Sequence, residues 1–264
     1  YYGFNLVEEH EVEELQSKAR IFYHEKSGAR LLHLENDDDN KVFSIGFRTP
    51  PSDSTGVPHI VEHCVLSGSR KYTTKEPFMD MVKGSLQTFI NAMTFSDKTL
   101  YPVASRNDKD FFNLMDVYLD AVLYPKIYEI PEIFMQEGWH YELFNKKDNI
   151  QYKGVVYNEM QGAYSSPERI LGETISKSLY PDTCYQYSSG GNPDVIPELS
   201  YEEFLDFHRK FYHPSNSYIY LYGNGDIEKH LKFIDENYLS NFNKDNIDSH
   251  IDIQKPFTSR NVIE

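Results

Sequence analysis

The sequence predicts an α+β fold, with helices packed on a mixed, largely antiparallel sheet. Three observations predict it. Strand-like pairs and amphipathic helices succeed one another in mixed order, not in strict βα alternation. Strand-like runs such as "KVFSIGFRT" alternate apolar and polar side chains, as a sheet with one buried face requires. The chain has 264 residues, enough for one large core or two small ones.

Residues 1–20 are polar and helix-prone ("VEEHEVEELQSKA"). "ARIFYHEKSGARLLHLENDDDNKVFSIGFRTP" reads as two or three strands, with Gly28 and the "NDDDN" cluster at 36–40 as turns and Pro50 and Pro51 as the stop. A helix follows, with Pro58 in its first turn and Gly68 as terminator. "PFMDMVKGSLQTF" reads as helical and "INAMTFSDKTLYPVAS" as a strand pair. "DKDFFNLMDVYLDAVLYP" is an amphipathic helix: Phe111, Leu114, Met115, Tyr118 and Val122 recur at helical spacing, Asn107 or Asp108 can cap it, and Pro125 stops it. "IPEIFMQEGWHYELF" is a helix running into a strand. "YKGVVYNEMQGAYSSPERILGETISKSLY" is a short apolar entry and then one long helix. "SYEEFLDFHRKFYHP" carries a capping box, Ser200 with Glu203. "NSYIYLYGN" is a strand, a last helix spans roughly 226–239, and "NKDNIDSH" beyond 243 reads as a linker.

Composition removes several function classes. Hydrophobic content is 39% and mean hydropathy is -0.60, values of a globular chain in water. No run of eighteen apolar residues exists, so no membrane-spanning helix is expected. A net charge of -15 and a pI near 5.1 fit a nucleic-acid backbone badly and fit cationic peptides better. Cys64 and Cys184 are too few and too far apart for a disulfide framework or a thiolate zinc site. No signal segment opens the chain, which starts at Tyr1 and ends at Glu264 in apparently continuing sequence; it is expected to be a piece of a longer polypeptide.

One short stretch carries chemistry. In "GVPHIVEHCVLSGS", residues 56–69, His59, Glu62 and His63 read H-x-x-E-H. Positions i and i+4 share a helix face, so both imidazoles can meet one ion while Glu62 stands beside them as a base. Ile60, Val61, Cys64, Val65 and Leu66 would bury much of the helix, and a buried pair of histidines with an acid needs a reason that a metal supplies. A polar helix without metal is the competing reading. A third ligand must come from elsewhere: Glu159, Glu137, Glu142 and His140 are candidates, and spacing does not choose among them.

"STGVPHIVEHCVLSGS", "FINAMTFSDKTLYP", "QEGWHYE", "YKGVVYNEMQGAYS" and "FYHPSNSYIYLYGN" occur in the order found in pitrilysin-like inverzincin peptidases. From about residue 20 to 240 the chain resembles their presequence protease branch. Within it, the Asn-, Lys- and Tyr-rich texture is similar to falcilysin, the malarial-parasite member. The resemblance implies the pitrilysin and mitochondrial processing peptidase type of fold, one Zn²⁺ per chain, and Glu159 as the third ligand beside His59 and His63. Ninety-five residues, 64 through 158, separate His63 from Glu159, a gap similar to that branch. Tyr152 stands where the pitrilysin branch has an extra acid.

The resemblance also implies Glu62 as general base. It implies Asn91 and Ala92 on an edge strand that pairs with an extended peptide, Leu66 and Phe78 as walls of an apolar subsite, and Glu137 as a carboxylate orienting a histidine from behind. Residues 1–243 would be the first of four domains in a clamshell, with 244–264 leading to the second. The missing C-terminal half would supply an Arg and a Tyr for the oxyanion, so this piece alone would bind zinc and be poorly active or inactive. Substrates would be unfolded peptides, either targeting presequences or globin-derived fragments. The setting would be a mitochondrion, an apicoplast or an acidic food vacuole. Three rivals remain at this point: a non-catalytic relative that keeps the fold, a peptide-binding module that uses only the edge strand, and a structural helix that holds no metal.

Overall fold

The structure, a computed structural model, describes residues 1–74, 77–260 and 262. Its strands are β1 (Phe4–Val12), β2 (Ser17–His24), β3 (Arg30–Glu35), β4 (Lys41–Arg48), β5 (Gln87–Ile90), β6 (Met93–Thr94), β7 (Lys98–Ser105), β8 (His140–Glu142), β9 (Gln151–Lys153) and β10 (Ser217–Gly223). Its α-helices are α1 (Val57–Val65), α2 (Pro77–Gly84), α3 (Asp108–Leu123), α4 (Pro131–Glu137), α5 (Val155–Ala163), α6 (Pro167–Leu179), α7 (Tyr201–Phe211) and α8 (Ile227–Asn237).

Eight strands form one sheet in the order β1-β2-β3-β10-β4-β7-β5, with β6 also on β7. Among the described residues only β3 and β10 run parallel; the other pairings are antiparallel. The fold is therefore the mixed, largely antiparallel α+β arrangement that the sequence predicts. Alternation sets the buried face. Phe43, Ile45 and Phe47 of β4 and Ile219 and Leu221 of β10 point into the core, while Ser44, Tyr220 and Tyr222 point away. The helices close over that core with Ile60, Val61 and Val65 of α1, Leu119 and Val122 of α3, and Phe204 of α7.

The local signals hold where they are short-range. Asn107 caps α3 by accepting from the Asp110 N–H. Ser200 and Glu203 form the reciprocal capping box of α7.

Three expectations are corrected. The helix-prone opening is strand β1, followed by one 3-10 turn at Glu13–Leu15. β1 is an edge strand exposed along nearly its whole length, held by main-chain pairing to β2 and by Arg20 and Lys18 on Glu9 and Glu11. Without a buried face it has no period-two apolar pattern to read, and its glutamates resemble a helix. The helix predicted through Phe89 stops at Gly84, and Gln87–Ile90 joins the sheet. The single long helix after residue 154 is two: Ser166 caps α6, and Pro167, with no N–H to give, starts it.

Residues 243–260 carry no helix or strand. They nonetheless lie against the domain, where Ser249 donates to Asn216 and the Asp245 N–H donates to Ser215. Residues 261, 263 and 264 of the expected linker lie outside the described residues.

Candidate metal centre

The centre is built on α1. Its buried apolar side chains fix the helix against α7 and α4, which leaves the opposite face to a cleft of about 1930 Å³. Gly56 precedes the helix at φ +72, and a Cβ there would sit 2.6 Å from the Gly191 Cα. Only glycine lets the two loops cross so closely. That crossing brings the Gly190 carbonyl within 3.0 Å of His59 Nδ1.

Each histidine of the motif is tied from behind. The Gly190 carbonyl can only accept, so His59 donates from Nδ1 and turns a bare Nε2 to the cleft. His63 Nδ1 lies 3.4 Å from Glu137 Oε2 and donates to that carboxylate, freeing its own Nε2. The two rings meet edge to face with centroids 4.9 Å apart. The third member comes from α5. Gly154, just before it, packs so tightly that a Cβ would lie 2.1 Å from the Gly138 carbonyl, which fixes the start of α5 beside the end of α4. Glu159 then reaches the histidines, with Oε2 3.7 Å from His59 Nε2 and 3.8 Å from His63 Nε2.

These three donor atoms lie within 4.8 Å of one another. The separations are too long for hydrogen bonds and suit donors grouped around one cation. The local field agrees. Burial pushes the His63 pKa down, but the hydrogen bond to Glu137 and the charges of Glu62, Glu137 and Glu159 outweigh it and raise it. Two imidazoles and one carboxylate are a zinc donor set, so the residues present fit that ion. Because the Gly56 crossing sets the Gly190 carbonyl, Gly56→Ala is expected to weaken zinc binding by about 10–100-fold, read by competition with a chromogenic chelator. Unchanged affinity would show that the His59 tether is dispensable.

Glu62 lies beside the two histidines, 7% exposed, and accepts a 2.7 Å hydrogen bond from Thr94 Oγ1. Leu66, Phe78, Asn91 and Ala92 line the same cleft. Leu66 and Phe78 also pack on the core. The Asn91 main chain is engaged within the protein: its N–H donates to the Pro102 carbonyl and its carbonyl accepts from Tyr118 Oη. The Ala92 N–H donates to the Asn91 side-chain oxygen.

Of the rival third ligands, Glu137 stands behind His63, and the His140 ring bonds the Met135 carbonyl. Neither these nor Glu142 joins the convergent group among the described residues. Sequence reasoning missed Thr94 and Gly190. The only signal for Gly190 was the glycine pair in "SSGGNP", and Thr94 had none.

Comparison with known proteins gives the family and the fold. The family described as Insulinase (Peptidase family M16) matches residues 42–188, and that described as Peptidase M16 inactive domain matches 198–263. Protein HypA of Clostridium perfringens is 64% identical over 259 residues, 98% of this chain and 27% of its own length. Presequence protease 1, chloroplastic/mitochondrial, of Arabidopsis thaliana is 54% identical over 91% of this chain and 22% of its own. The mitochondrial presequence protease of Mus musculus is 48% identical over 92% and 24%. A crystal structure of pitrilysin superposes with a TM-score of 0.74 over 97% of this chain at 16% identity, which shows the shared fold. The chain spans about a quarter of the length of these relatives. By its fold and by the match over residues 42–188, the chain belongs to the insulinase family of peptidases, M16, and its likeness within that family runs to the presequence proteases.

Proposed function

We propose that this chain is the zinc-bearing part of an endopeptidase that degrades short unfolded peptides, targeting presequences foremost. One observation carries the reading: two tethered imidazoles turn bare Nε2 atoms onto Glu159, with the buried carboxylate of Glu62 alongside. His59, His63 and Glu159 hold one Zn²⁺. When bound, zinc supplies a positive charge that acidifies a water and polarises the scissile carbonyl. Glu62 takes the proton of the attacking water and later passes it to the leaving amine. Glu137 and the Gly190 carbonyl keep both imidazoles in the tautomer that presents Nε2. Ala92, with Asn91 fixing its position, receives the peptide main chain along the sheet edge, and Leu66 and Phe78 wall an apolar subsite.

In this reading residues 1–243 are the first of four domains and 244–264 lead to the second. The remaining half of the polypeptide closes over the cleft and supplies oxyanion donors. This chain alone is then expected to bind zinc and to cleave peptides poorly or not at all. An organellar setting is supported by relatives named for mitochondria and chloroplasts. The globin-peptide, apicoplast and food-vacuole readings rest on residue texture alone, and a relative from Clostridium at 64% identity weighs against giving that texture a parasite meaning.

Metal analysis of protein purified without chelator tests the reading. About one zinc per chain is expected, falling to near zero in His63→Ala and strongly reduced in Glu159→Gln. A metal-free wild-type protein would leave α1 a polar structural helix and end the proposal.

A further inference from the structure

Glu62 is buried, yet among the described residues it makes one side-chain hydrogen bond, to Thr94. Thr94 donates it from Oγ1 to Oε2 at 2.7 Å, since a carboxylate can only accept. The donor is itself held in place. Thr94 ends the two-residue strand β6, whose pairing with β7 sets Thr94 against Thr99. The turn beyond is closed by the Phe95 N–H on the Lys98 carbonyl. The segment before is pinned by Asn91, through Pro102 on β7 and Tyr118 on α3. Threonine is stiff at χ1, so a fixed main chain gives a fixed hydroxyl.

Resting on the general-base role proposed for Glu62, we infer that Thr94 is the positioning residue of that base. Its hydroxyl anchors Oε2, which stops the carboxylate turning about its soft terminal torsion and leaves Oε1 to meet the water. Displacement of a reacting group by about 1 Å can cost roughly 100-fold in rate. The placement also ties substrate to chemistry. The hydroxyl sits two residues beyond Ala92, on the strand segment that lines the peptide cleft. A peptide docked there lies along the element that aims the base.

The test uses the full-length polypeptide and measures kcat, KM, zinc content and thermal midpoint. Thr94→Val keeps the shape and removes the donor. It is expected to lower kcat by about tenfold or more, with KM within about twofold, zinc unchanged and the midpoint little moved. Thr94→Ser, which restores a donor, should recover most of kcat. In a Glu62→Gln background, Thr94→Val should lower the residual rate no further, because it acts only through the missing base. A wild-type kcat in Thr94→Val overturns the inference, and so does an equal loss in both backgrounds, which a merely structural threonine would give. A fully active Glu62→Gln would instead overturn the general-base reading beneath it.

Discussion

Glu62→Gln is expected to lower kcat of the full-length peptidase by about 10²–10⁴-fold while zinc stays bound. The two side chains have nearly the same volume, and Glu62 sits in a tight site at 7% exposure, so the fold should survive. The amide oxygen can still accept from Thr94, so the geometry of the Thr94 contact is kept. What is lost is the capacity to take a proton. The outcome separates two jobs that the H-x-x-E-H motif could give its acid. A general base removes rate and spares metal; a ligand or a structural acid removes metal or stability. Peptide turnover at wild-type rate in Glu62→Gln would sink the assignment. Zinc loss in the same variant would place Glu62 among the ligands instead, where the convergence of His59, His63 and Glu159 leaves no need for it.

What could be read beforehand follows from the range of each interaction. His59 and His63 share a helix face by local geometry, so four residues of spacing suffice to pair them. The capping box of Ser200 and Glu203 is equally local, and the structure keeps it. Glu159 reaches the motif through the Gly154–Gly138 contact, which no spacing rule encodes, and residue reading alone left it among rivals. Thr94 and Gly190 act across 32 and 131 residues of sequence, and each contributes a group that many positions carry, a hydroxyl or a main-chain carbonyl. Strand β1 failed for a different reason. Its stabilisation is main-chain pairing along an open edge, which leaves its side chains free to be glutamates.

Between pH 7 and pH 5 the protein is expected to lose stability steeply, through three histidines away from the metal centre. His33, His208 and His230 are buried, and burial pushes each down to about 4. His33 and His230 each leave Nδ1 without a hydrogen-bond partner among the described residues, and His33 disfavours charge on His230. Asp226 and Asp108 offset part of this, and Lys41 adds a smaller positive charge beside His230, but burial and His33 keep its pKa down. His208 donates from Nε2 to the Val122 carbonyl and accepts at Nδ1 from Tyr128 Oη, so a second proton would displace the tyrosine donor. Each folded-state pKa lies below the ordinary value of about 6.5, so in the window from there down to about 4 the unfolded chain binds protons that the folded chain refuses. Stability therefore rises with pH across that window and is lost as pH falls through it. Within that window each such histidine contributes up to about 1.4 kcal/mol per pH unit. Urea unfolding from pH 8 to pH 5 with a chelator present, so that metal release adds nothing, would measure it. A flat unfolding free energy would show that these histidines are not buried neutral. His230→Leu, in the pocket formed by Phe111 and Phe112, should remove about a third of the slope.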